Sequence, residues 1–196
     1  SVGDQTDRLG RLIQQRLDVS RFEAGSGRLE IRPFGLKAFL DELAISFEAL
    51  AVQNDIDFEV EVDPALPETI EGDSDRLNEV VGNLLSNAFK FTPRGGQIRL
   101  EARPSSKERG VLIEVSDTGV GIPAEQVPRI FEKFYQVENE AQPKSVGTGL
   151  GLAISKEITE AHGGTISAES QLGEGTTFRV FLPLRPPRPA DPESAD

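Results

Sequence analysis

The sequence predicts an α+β fold, a two-layer α/β sandwich in which helices cover one face of a mixed sheet. Amphipathic stretches of helical length alternate along the chain with short apolar runs of strand length. Residues 56–62 alternate between apolar and polar side chains, which is typical of a half-buried strand; the apolar positions are Ile56, Phe58, Val60 and Val62. Two strand-like runs around Gly173-Glu-Gly175 then predict a closing hairpin.

Five segments carry the apolar spacing or the start and stop signals of a helix. They are residues 8–22, 36–52, 74–91, 124–131 and 150–161. The helix at 74–91 begins after Asp73 or Ser74, either of which can cap it with a side-chain oxygen. It ends before Pro93, which cannot continue a helix.

Six shorter apolar runs predict strands. They are residues 29–33, 56–62, 98–102, 111–115, 165–170 and 177–182. The third and fourth are joined by a polar loop and are expected to be neighbours in the sheet. Residues 132–146 lack clean periodicity, so they predict a long loop, which in a compact domain is typical of a functional lid or of disorder.

Three parts are expected along the chain. Residues 1–27 hold a narrow apolar stripe suited to packing on another helix, of this domain or of a second copy, and Gly25-Ser-Gly27 breaks that helix as a hinge or a turn. Residues 28–185 form the main domain. Residues 186–196 are proline-rich and acidic, which predicts a disordered tail.

Composition excludes several classes of function. The chain has 196 residues, enough for one sizeable domain with an appendage, and its net charge of −12 argues against non-specific binding to nucleic acid or to an anionic membrane. The lack of cysteine excludes disulfides and thiolate metal sites, and no apolar run approaches the length of a membrane span. No signal peptide is visible, and a chain that begins with Ser1 and lacks methionine is expected to be a piece of a longer protein.

A candidate base-binding carboxylate, Asp117, follows an apolar run and precedes Thr118-Gly-Val-Gly121. It can accept hydrogen bonds from an exocyclic amine such as that of adenine, and Gly119 and Gly121 let the backbone approach a flat base. Alone, Asp117 would more simply be a solvated turn residue. Residues 119–124 also fit the Gly-x-Gly-x-x-Ala dinucleotide pattern, but a long polar loop follows instead of a return strand, so that interpretation is rejected.

Two further features indicate a site for phosphates and a metal ion. Gly147-Thr-Gly-Leu-Gly151-Leu opens a predicted helix, whose N-terminal N–H groups favour anions such as a triphosphate; Lys156 of that helix is expected to face solvent. On helix 74–91, Asn83 and Asn87 share a flank beside the apolar stripe. Asn87 offers a neutral oxygen to Mg²⁺, Asn83 can order a water or the terminal phosphate, and Lys90 can pair with phosphate charge.

Five motifs in this order resemble the ATP-binding domain of sensor histidine kinases, in the superfamily shared with gyrase, Hsp90 and MutL. They are the N box Asn83-Leu-Leu-Ser-Asn87-Ala-Phe-Lys90-Phe-Thr, the first glycine box Asp117-Thr-Gly-Val-Gly121-Ile, the F box Phe131-Glu-Lys-Phe134-Tyr135, the second glycine box Gly147-Thr-Gly-Leu-Gly151-Leu and the last box Gly173-Glu-Gly-Thr-Thr177-Phe. The resemblance covers about residues 36–184. It implies a Bergerat-type sandwich that binds ATP between the N-box helix and a mobile lid.

The resemblance also implies roles for single residues. Asn87 would bind Mg²⁺ and Asp117 the adenine amino group, with Thr177 supporting Asp117 through a water. Phe91 and Tyr135 would flank the nucleotide. Asn83, Asn87 and Lys90 would serve catalysis, and the other expected nucleotide contacts are Gly119, Gly121, Ile122, Gly147, Thr148, Gly149, Leu150, Gly151 and Leu152.

Asn83 distinguishes the subfamilies, because the superfamily's ATPases, and its serine kinases that act on anti-sigma-antagonist proteins, carry a general-base glutamate there. Without a carboxylate, activation of water or serine should be slow, whereas a histidine imidazole is already a nucleophile. This favours a protein-histidine kinase. A nucleotide-binding regulatory module without phosphotransfer stays open, because Gln136 stands where many members have arginine; the possible substitutes are Arg129, Lys133 and Lys144.

The partners that the resemblance implies lie outside this chain. Residues 12–25 resemble the end of the second helix of the dimerisation and phosphoacceptor domain, whose phosphoacceptor helix is missing. His162, in the turn Ala161-His-Gly163-Gly164, is expected to be a helix-end residue. The acceptor would be a histidine of the parent kinase, and the receiver domain of a response regulator would follow. The remaining expectations are a bacterial, homodimeric parent, membrane-anchored or not, with a cytoplasmic, monomeric fragment that contacts neither nucleic acid nor membrane.

Overall fold

The structure, a computed structural model, describes residues 28–137 and 151–187. Its strands are β1 (Arg32–Gly35), β2 (Asp57–Val62), β3 (Thr69–Gly72), β4 (Gln97–Pro104), β5 (Gly110–Asp117), β6 (Thr165–Gln171) and β7 (Gly175–Pro183). Its helices are α1 (Leu36–Gln53), α2 (Ser74–Phe91) and α3 (Gly151–Ala161). The expectations for residues 1–27, 138–150 and 188–196 fall outside the described residues. Among the described helices, none is both long and apolar enough to cross a membrane.

Five strands form the main sheet in the order β2-β4-β5-β7-β6. β2 runs parallel to β4, and every other neighbouring pair is antiparallel, so the sheet is mixed as predicted. The predicted neighbours β4 and β5 pair with Leu100 opposite Val115, and the predicted hairpin β6–β7 pairs with Ile166 opposite Val180. A separate two-stranded sheet joins β1 to β3.

One face of the main sheet is apolar and carries the helices. Because successive side chains of a strand point to opposite faces, every second residue belongs to this inner face. Leu40 of α1, Leu84 of α2 and Ile158 of α3 join the same core cluster, which confirms the two-layer sandwich. The buried apolar residues on the inner face of β5 and β7 are Val111, Ile113, Val115, Phe178, Val180 and Leu182.

The outer face of the sheet is polar and held by ion pairs. Glu114 of β5, only 7% exposed, accepts hydrogen bonds from Arg103 of β4 at 2.8 Å and from Arg179 of β7 at 2.7 Å. The Arg103 guanidinium, together with that of Arg179, holds the pKa of Glu114 below its ordinary value although burial acts in the other direction. Glu114 therefore marks the face of β5 that turns away from the helices.

Helix α2 begins and ends where the sequence predicts. Asp73 caps it by accepting a hydrogen bond from the Arg76 N–H at 3.2 Å. Thr92 is extended, as expected for a residue that precedes a proline, and the helix stops at Phe91. Its buried stripe consists of Leu77, Val80, Val81, Leu84, Leu85, Ala88 and Phe89.

The predicted helix at 124–131 is wrong. The segment holds turns and a single 3-10 turn, Val127–Arg129. Pro128 has no N–H and cannot close the hydrogen bond to the residue four positions earlier that an α-helix needs. The Arg129 N–H instead reaches the Gln126 carbonyl, three residues back, at 2.9 Å.

The first strand lies at Arg32–Gly35 rather than at 29–33, and the sequence did not predict its partner β3. β3 has four residues, of which Ile70 is the one buried apolar side chain, so no alternation was available to reveal it. The pairing fixes the position of β1, since Phe34 lies opposite Ile70.

Candidate functional site

Asp117 is the last residue of β5 and lies opposite Thr176 of β7 on the inner face. Its Oδ1 accepts hydrogen bonds from the Gly119 N–H at 2.8 Å and the Thr176 N–H at 3.3 Å. Burial raises the pKa of Asp117 to about 6, while these two N–H groups act in the opposite direction. Two backbone donors thus hold one carboxylate oxygen, and no described residue donates a hydrogen bond to the other.

Two glycines after Asp117 allow the chain to turn closely over the strand ends. A Cβ at Gly119 would lie 2.5 Å from the Phe91 carbonyl oxygen. Gly121 has a φ of 74°, and a Cβ there would collide with the Gln171 carbonyl oxygen. A side chain at either position would displace backbone, so both glycines are needed for the shape of this turn.

Ser170 of β6 joins the turn to the closing hairpin, a role that the sequence did not reveal. The Ile122 N–H donates to Ser170 Oγ at 2.7 Å, and Ser170 Oγ donates to the Gly175 carbonyl at 3.0 Å. The Ser170 and Thr176 hydroxyls lie 2.8 Å apart. Ser170 therefore links the backbone of Ile122, a predicted contact residue, to Thr176, whose N–H donates to Asp117.

The prediction that Thr177 supports Asp117 is wrong. Thr177 lies opposite Ser116, with their hydroxyls 3.1 Å apart, on the outer face of the sheet. Thr176 occupies the inner face and provides the N–H that Asp117 accepts. A shift of one residue in a strand moves a side chain to the other face. Because side chains of a strand alternate between the two faces, the buried Phe178 places Thr176, two residues earlier, on the same inner face. The sequence pattern could therefore have identified Thr176.

The predicted metal and phosphate ligands lie along α2. Asn87 is half-buried, and no described residue hydrogen-bonds its amide. The Lys90 Nζ lies 5.3 Å from the centroid of the Phe91 ring. Asn83 makes a contact that the sequence did not predict, because its Nδ2 donates to the Gly151 carbonyl at 3.2 Å and to Ser155 Oγ at 3.3 Å.

Phe91 and Tyr135, the aromatic residues predicted to flank the nucleotide, are both partly buried. The Phe91 carbonyl accepts from the Val120 N–H at 3.2 Å, which ties the end of α2 to the glycine turn. The Tyr135 hydroxyl donates to Gln126 Oε1 at 2.9 Å, and the Arg129 guanidinium carbon lies 4.6 Å from the Tyr135 ring centroid. Their flanking roles stay predictions.

Two of the three cations considered as substitutes for the missing arginine lie in the described residues. Arg129 pairs with Glu132 at 3.3 Å, and Lys133 pairs with Glu157 of α3 at 3.6 Å. Lys144 lies outside the described residues. The first two cations therefore already have carboxylate partners in this state.

The second glycine box is described in part. Leu152 packs against the core, and Lys156 is exposed as predicted. α3 is described from Gly151 onward, so the other predicted contacts of this box fall outside the described residues: Gly147, Thr148, Gly149 and Leu150.

His162 is a buried helix-end residue, as predicted. It is 2% exposed, its Nε2 accepts from the Asp73 N–H at 3.0 Å, and its Nδ1 donates to the Ile158 carbonyl at 2.8 Å. Burial lowers the pKa of His162, which keeps the ring neutral. Since both ring nitrogens are occupied inside the fold, this imidazole is not placed to accept a phosphoryl group.

Residues 72–186, more than half of the 196, match the family described as histidine kinase-, DNA gyrase B- and HSP90-like ATPases. The chain belongs to this family. It is a histidine kinase ATP-binding domain, as the five motifs predicted. The match begins just before α2 and spans Asn83, Asn87 and Asp117.

Relatives and solved structures agree with this membership. The chain is 35% identical over 185 residues to the sensor histidine kinase WalK of Bacillus subtilis and 40% identical over 179 residues to hybrid signal transduction histidine kinase D of Dictyostelium discoideum. It covers 30% and 12% of those proteins, which in turn match 93% and 90% of this chain. The chain thus spans less than a third of the length of these relatives.

Among solved structures, full-length ShkA in complex with AMPPNP matches 95% of this chain with a TM-score of 0.81 and 30% identity, the match covering 38% of ShkA. Histidine kinase ThkA in complex with the response regulator TrrA matches 92% with a TM-score of 0.70 and 28% identity, the match covering 49% of that chain. The fold around the candidate site is therefore that of histidine kinase catalytic domains.

Proposed function

We propose that this chain binds ATP with Mg²⁺ and transfers the γ-phosphoryl group to a histidine of its parent kinase that lies outside these residues. The observation that carries the proposal is the buried Asp117 carboxylate, held by two backbone donors at the end of β5 beside the glycine turn, in a chain of the histidine kinase family. A response regulator would receive the phosphoryl group next.

The adenine end of the pocket fits a base that donates a hydrogen bond. Asp117 would accept from the exocyclic amino group, since one oxygen is already held by the Gly119 and Thr176 N–H groups. The lack of a side chain at Gly119 and Gly121 keeps the turn close to the strand ends. An amino-bearing purine suits this acceptor better than a purine with an oxo group at the same place.

The phosphate end of the pocket would lie along the α2 flank. Asn87, whose amide has no partner among the described residues, would offer its oxygen to Mg²⁺, and Lys90 would add positive charge near the phosphates. Bound magnesium would neutralise charge on the phosphate oxygens. Positioning and electrostatics then supply most of the catalysis of phosphoryl transfer.

The neutral Asn83 favours a histidine as the acceptor. An amide cannot act as the general base that water or a serine hydroxyl requires, whereas a neutral imidazole nitrogen attacks phosphorus directly. The new N–P bond forms as the bond to the ADP oxygen breaks, and the imidazole loses its other proton to solvent. Slow hydrolysis with efficient transfer is the expected outcome.

The parent protein would supply the partners that this chain lacks. The resemblance of residues 12–25 to the end of a dimerisation helix supports an acceptor domain of the same kinase, and a homodimeric parent with a monomeric fragment. The ThkA–TrrA complex supports a response regulator as the next partner. A cytoplasmic site, where ATP is plentiful, suits these reactions.

Phosphotransfer to a separate acceptor domain tests this proposal. The chain is incubated with radiolabelled ATP, Mg²⁺ and the dimerisation domain of its parent kinase, beside the same domain with its acceptor histidine replaced by alanine. We expect label on the first domain only, labile to acid and stable to alkali. Nucleotide binding without any labelling would identify a regulatory module instead, and steady ATP turnover without transfer would identify an ATPase.

Replacing Asn87 with alanine is expected to remove most of the Mg²⁺ dependence of nucleotide binding. In the unmodified chain Mg²⁺ should tighten ATP-analogue binding by about tenfold, because a carboxamide oxygen and the phosphates share the ion. Calorimetric titration with and without Mg²⁺ measures the difference. Ser86→Ala, at the exposed neighbouring position, is the control. An equal Mg²⁺ effect in both variants would place the ion elsewhere.

Nucleotide affinity should fall in acid through the titration of Asp117. Its pKa near 6 means that the carboxylate loses its charge below that pH, and affinity should then drop up to about tenfold per pH unit. Calorimetry of ADP between pH 5 and 8 shows the step. IDP carries the same phosphates without the amino group, so its weaker binding should lack this step. Identical profiles for ADP and IDP would contradict the assignment of Asp117.

A further inference from the structure

Helix α3 turns a row of polar side chains into the protein interior. The row consists of Ser155 and Thr159 of α3 and of His162, which directly follows the helix. Their spacing of four and three residues places them on the same side. Ser155 and Thr159 are 0% exposed and His162 is 2% exposed. A buried polar group lowers stability unless it is hydrogen-bonded. The hydrogen-bond partners of these three side chains therefore indicate why polar residues stand at these buried positions.

Two of these residues are satisfied in the same way inside their own helix. Thr159 Oγ1 donates to the Ser155 carbonyl at 2.7 Å, and Ser155 Oγ donates to the Gly151 carbonyl at 2.8 Å. Each hydroxyl thus bonds the carbonyl four residues earlier, which is a common resting place for a buried serine or threonine. Helix structure alone therefore accounts for both donors.

Ser155 differs from Thr159 because it also receives a hydrogen bond from α2. The Asn83 Nδ2 donates to Ser155 Oγ at 3.3 Å and to the Gly151 carbonyl at 3.2 Å. A carboxamide is planar, so holding its NH₂ group fixes where its oxygen points. Gly151 is also the first described residue of α3, so the same contacts tie the beginning of this helix to α2.

We propose that Ser155 is a positioning residue for the phosphate end of the nucleotide site and acts through Asn83. This rests on the proposed function above. Ser155 and the Gly151 carbonyl hold the Asn83 NH₂ group and leave Oδ1 as the acceptor for a water or cation on the terminal phosphate. Without the Ser155 hydroxyl, one of the two acceptors of the Asn83 NH₂ group is lost, so the orientation of the amide is less restricted. Loss of the Ser155 hydroxyl should therefore weaken the binding of a nucleoside triphosphate more than the binding of a diphosphate, which lacks the terminal phosphate.

Ser155→Ala tests the proposal, with Thr159→Val as the matched control. Each change removes one fully buried hydroxyl from α3, but only Ser155 contacts Asn83. We expect Ser155→Ala to weaken AMPPNP binding about fivefold more than ADP binding, both measured by calorimetry with Mg²⁺, which is the loss of roughly one hydrogen bond. Thr159→Val should leave the ratio of the two affinities unchanged, while both variants lower the unfolding temperature.

Asn83→Ala supplies a second, independent measurement at a half-buried position. It should shift the AMPPNP to ADP ratio in the same direction, and adding Ser155→Ala to it should change the ratio no further. Additive shifts, or an equal shift in Thr159→Val, would overturn the inference while leaving nucleotide binding intact. Failure of the unmodified chain to bind either nucleotide would overturn the proposed function as well. The binding of the unmodified chain therefore separates a failure of this inference from a failure of the proposed function.

Discussion

Replacing Asp117 with asparagine is expected to weaken ADP binding by about 10- to 100-fold, the loss of a hydrogen bond to a charged acceptor. The Gly119 and Thr176 N–H groups bind Oδ1, so the asparagine would keep its oxygen on that side. Its NH₂ group would then occupy the place of the other carboxylate oxygen. Two donors, this amide and the adenine amino group, would face each other.

The same change should leave the fold intact. The pKa of Asp117 is raised to about 6 from an ordinary value of 3.8, so the charged form is disfavoured in the folded chain. Its contribution to stability is therefore fully present below pH 3.8 and is lost as the pH rises through 6. Asp117→Asn removes the charge, and its unfolding temperature at pH 7 should not fall.

Calorimetric titration with ADP, beside thermal unfolding, measures both effects. Glu174→Gln is the matched control, since it makes the same chemical change at an exposed position of the neighbouring hairpin. It should bind ADP like the unmodified chain. Unchanged ADP affinity in Asp117→Asn would mean that the adenine does not contact this carboxylate.

Replacing Gly175 with alanine is expected to destabilise the domain by about 3 kcal/mol or more, a combination of backbone strain and collision. Gly175 has a φ of 132°, which L residues rarely adopt, and a Cβ there would collide with the Asp117 carbonyl oxygen. Either β7 moves away from β5 or the strand end at Asp117 shifts. Both outcomes also disturb the candidate adenine site.

Gly173→Ala separates strain from collision. Gly173 has a φ of 83°, but a Cβ there would meet nothing within 4 Å. It should cost about 1–2 kcal/mol, the penalty of a left-handed backbone, and leave ADP affinity unchanged. Thermal and urea unfolding of both variants give the comparison. Equal losses in the two would show that the contact between β7 and the Asp117 backbone adjusts without penalty.

Local signals made most of the helices, and the place of Asp117 at the end of a strand, predictable. Asp73 as a cap and Pro93 as a stop lie within a few residues of the helix ends they define, and the buried stripe of α2 follows from spacing alone. Asp117 and Gly119 are two residues apart, so a single short motif contains both the carboxylate and the glycine turn that follows it. Pro128 marks the exception, because it has no N–H and interrupts the helix that was predicted at 124–131.

Contacts between distant segments were not predictable in the same way. Asn83 and Ser155 are 72 residues apart, and nothing in either segment specifies the rotation of α3 against α2. The choice between Thr176 and Thr177 depends on the register of β7 against β5, where an error of one residue exchanges the faces. The short strand β3 has no strand pattern that its own sequence would reveal, and only its pairing with β1 identifies it.

A crystal structure of this chain with AMPPNP and Mg²⁺ tests the central claim most directly. The account predicts the adenine amino group within hydrogen-bonding distance of Asp117 and the ion on the Asn87 oxygen, with Asn83 still bonded to Ser155. A nucleotide bound with its base away from Asp117, or a Mg²⁺ without Asn87 as a ligand, would contradict it.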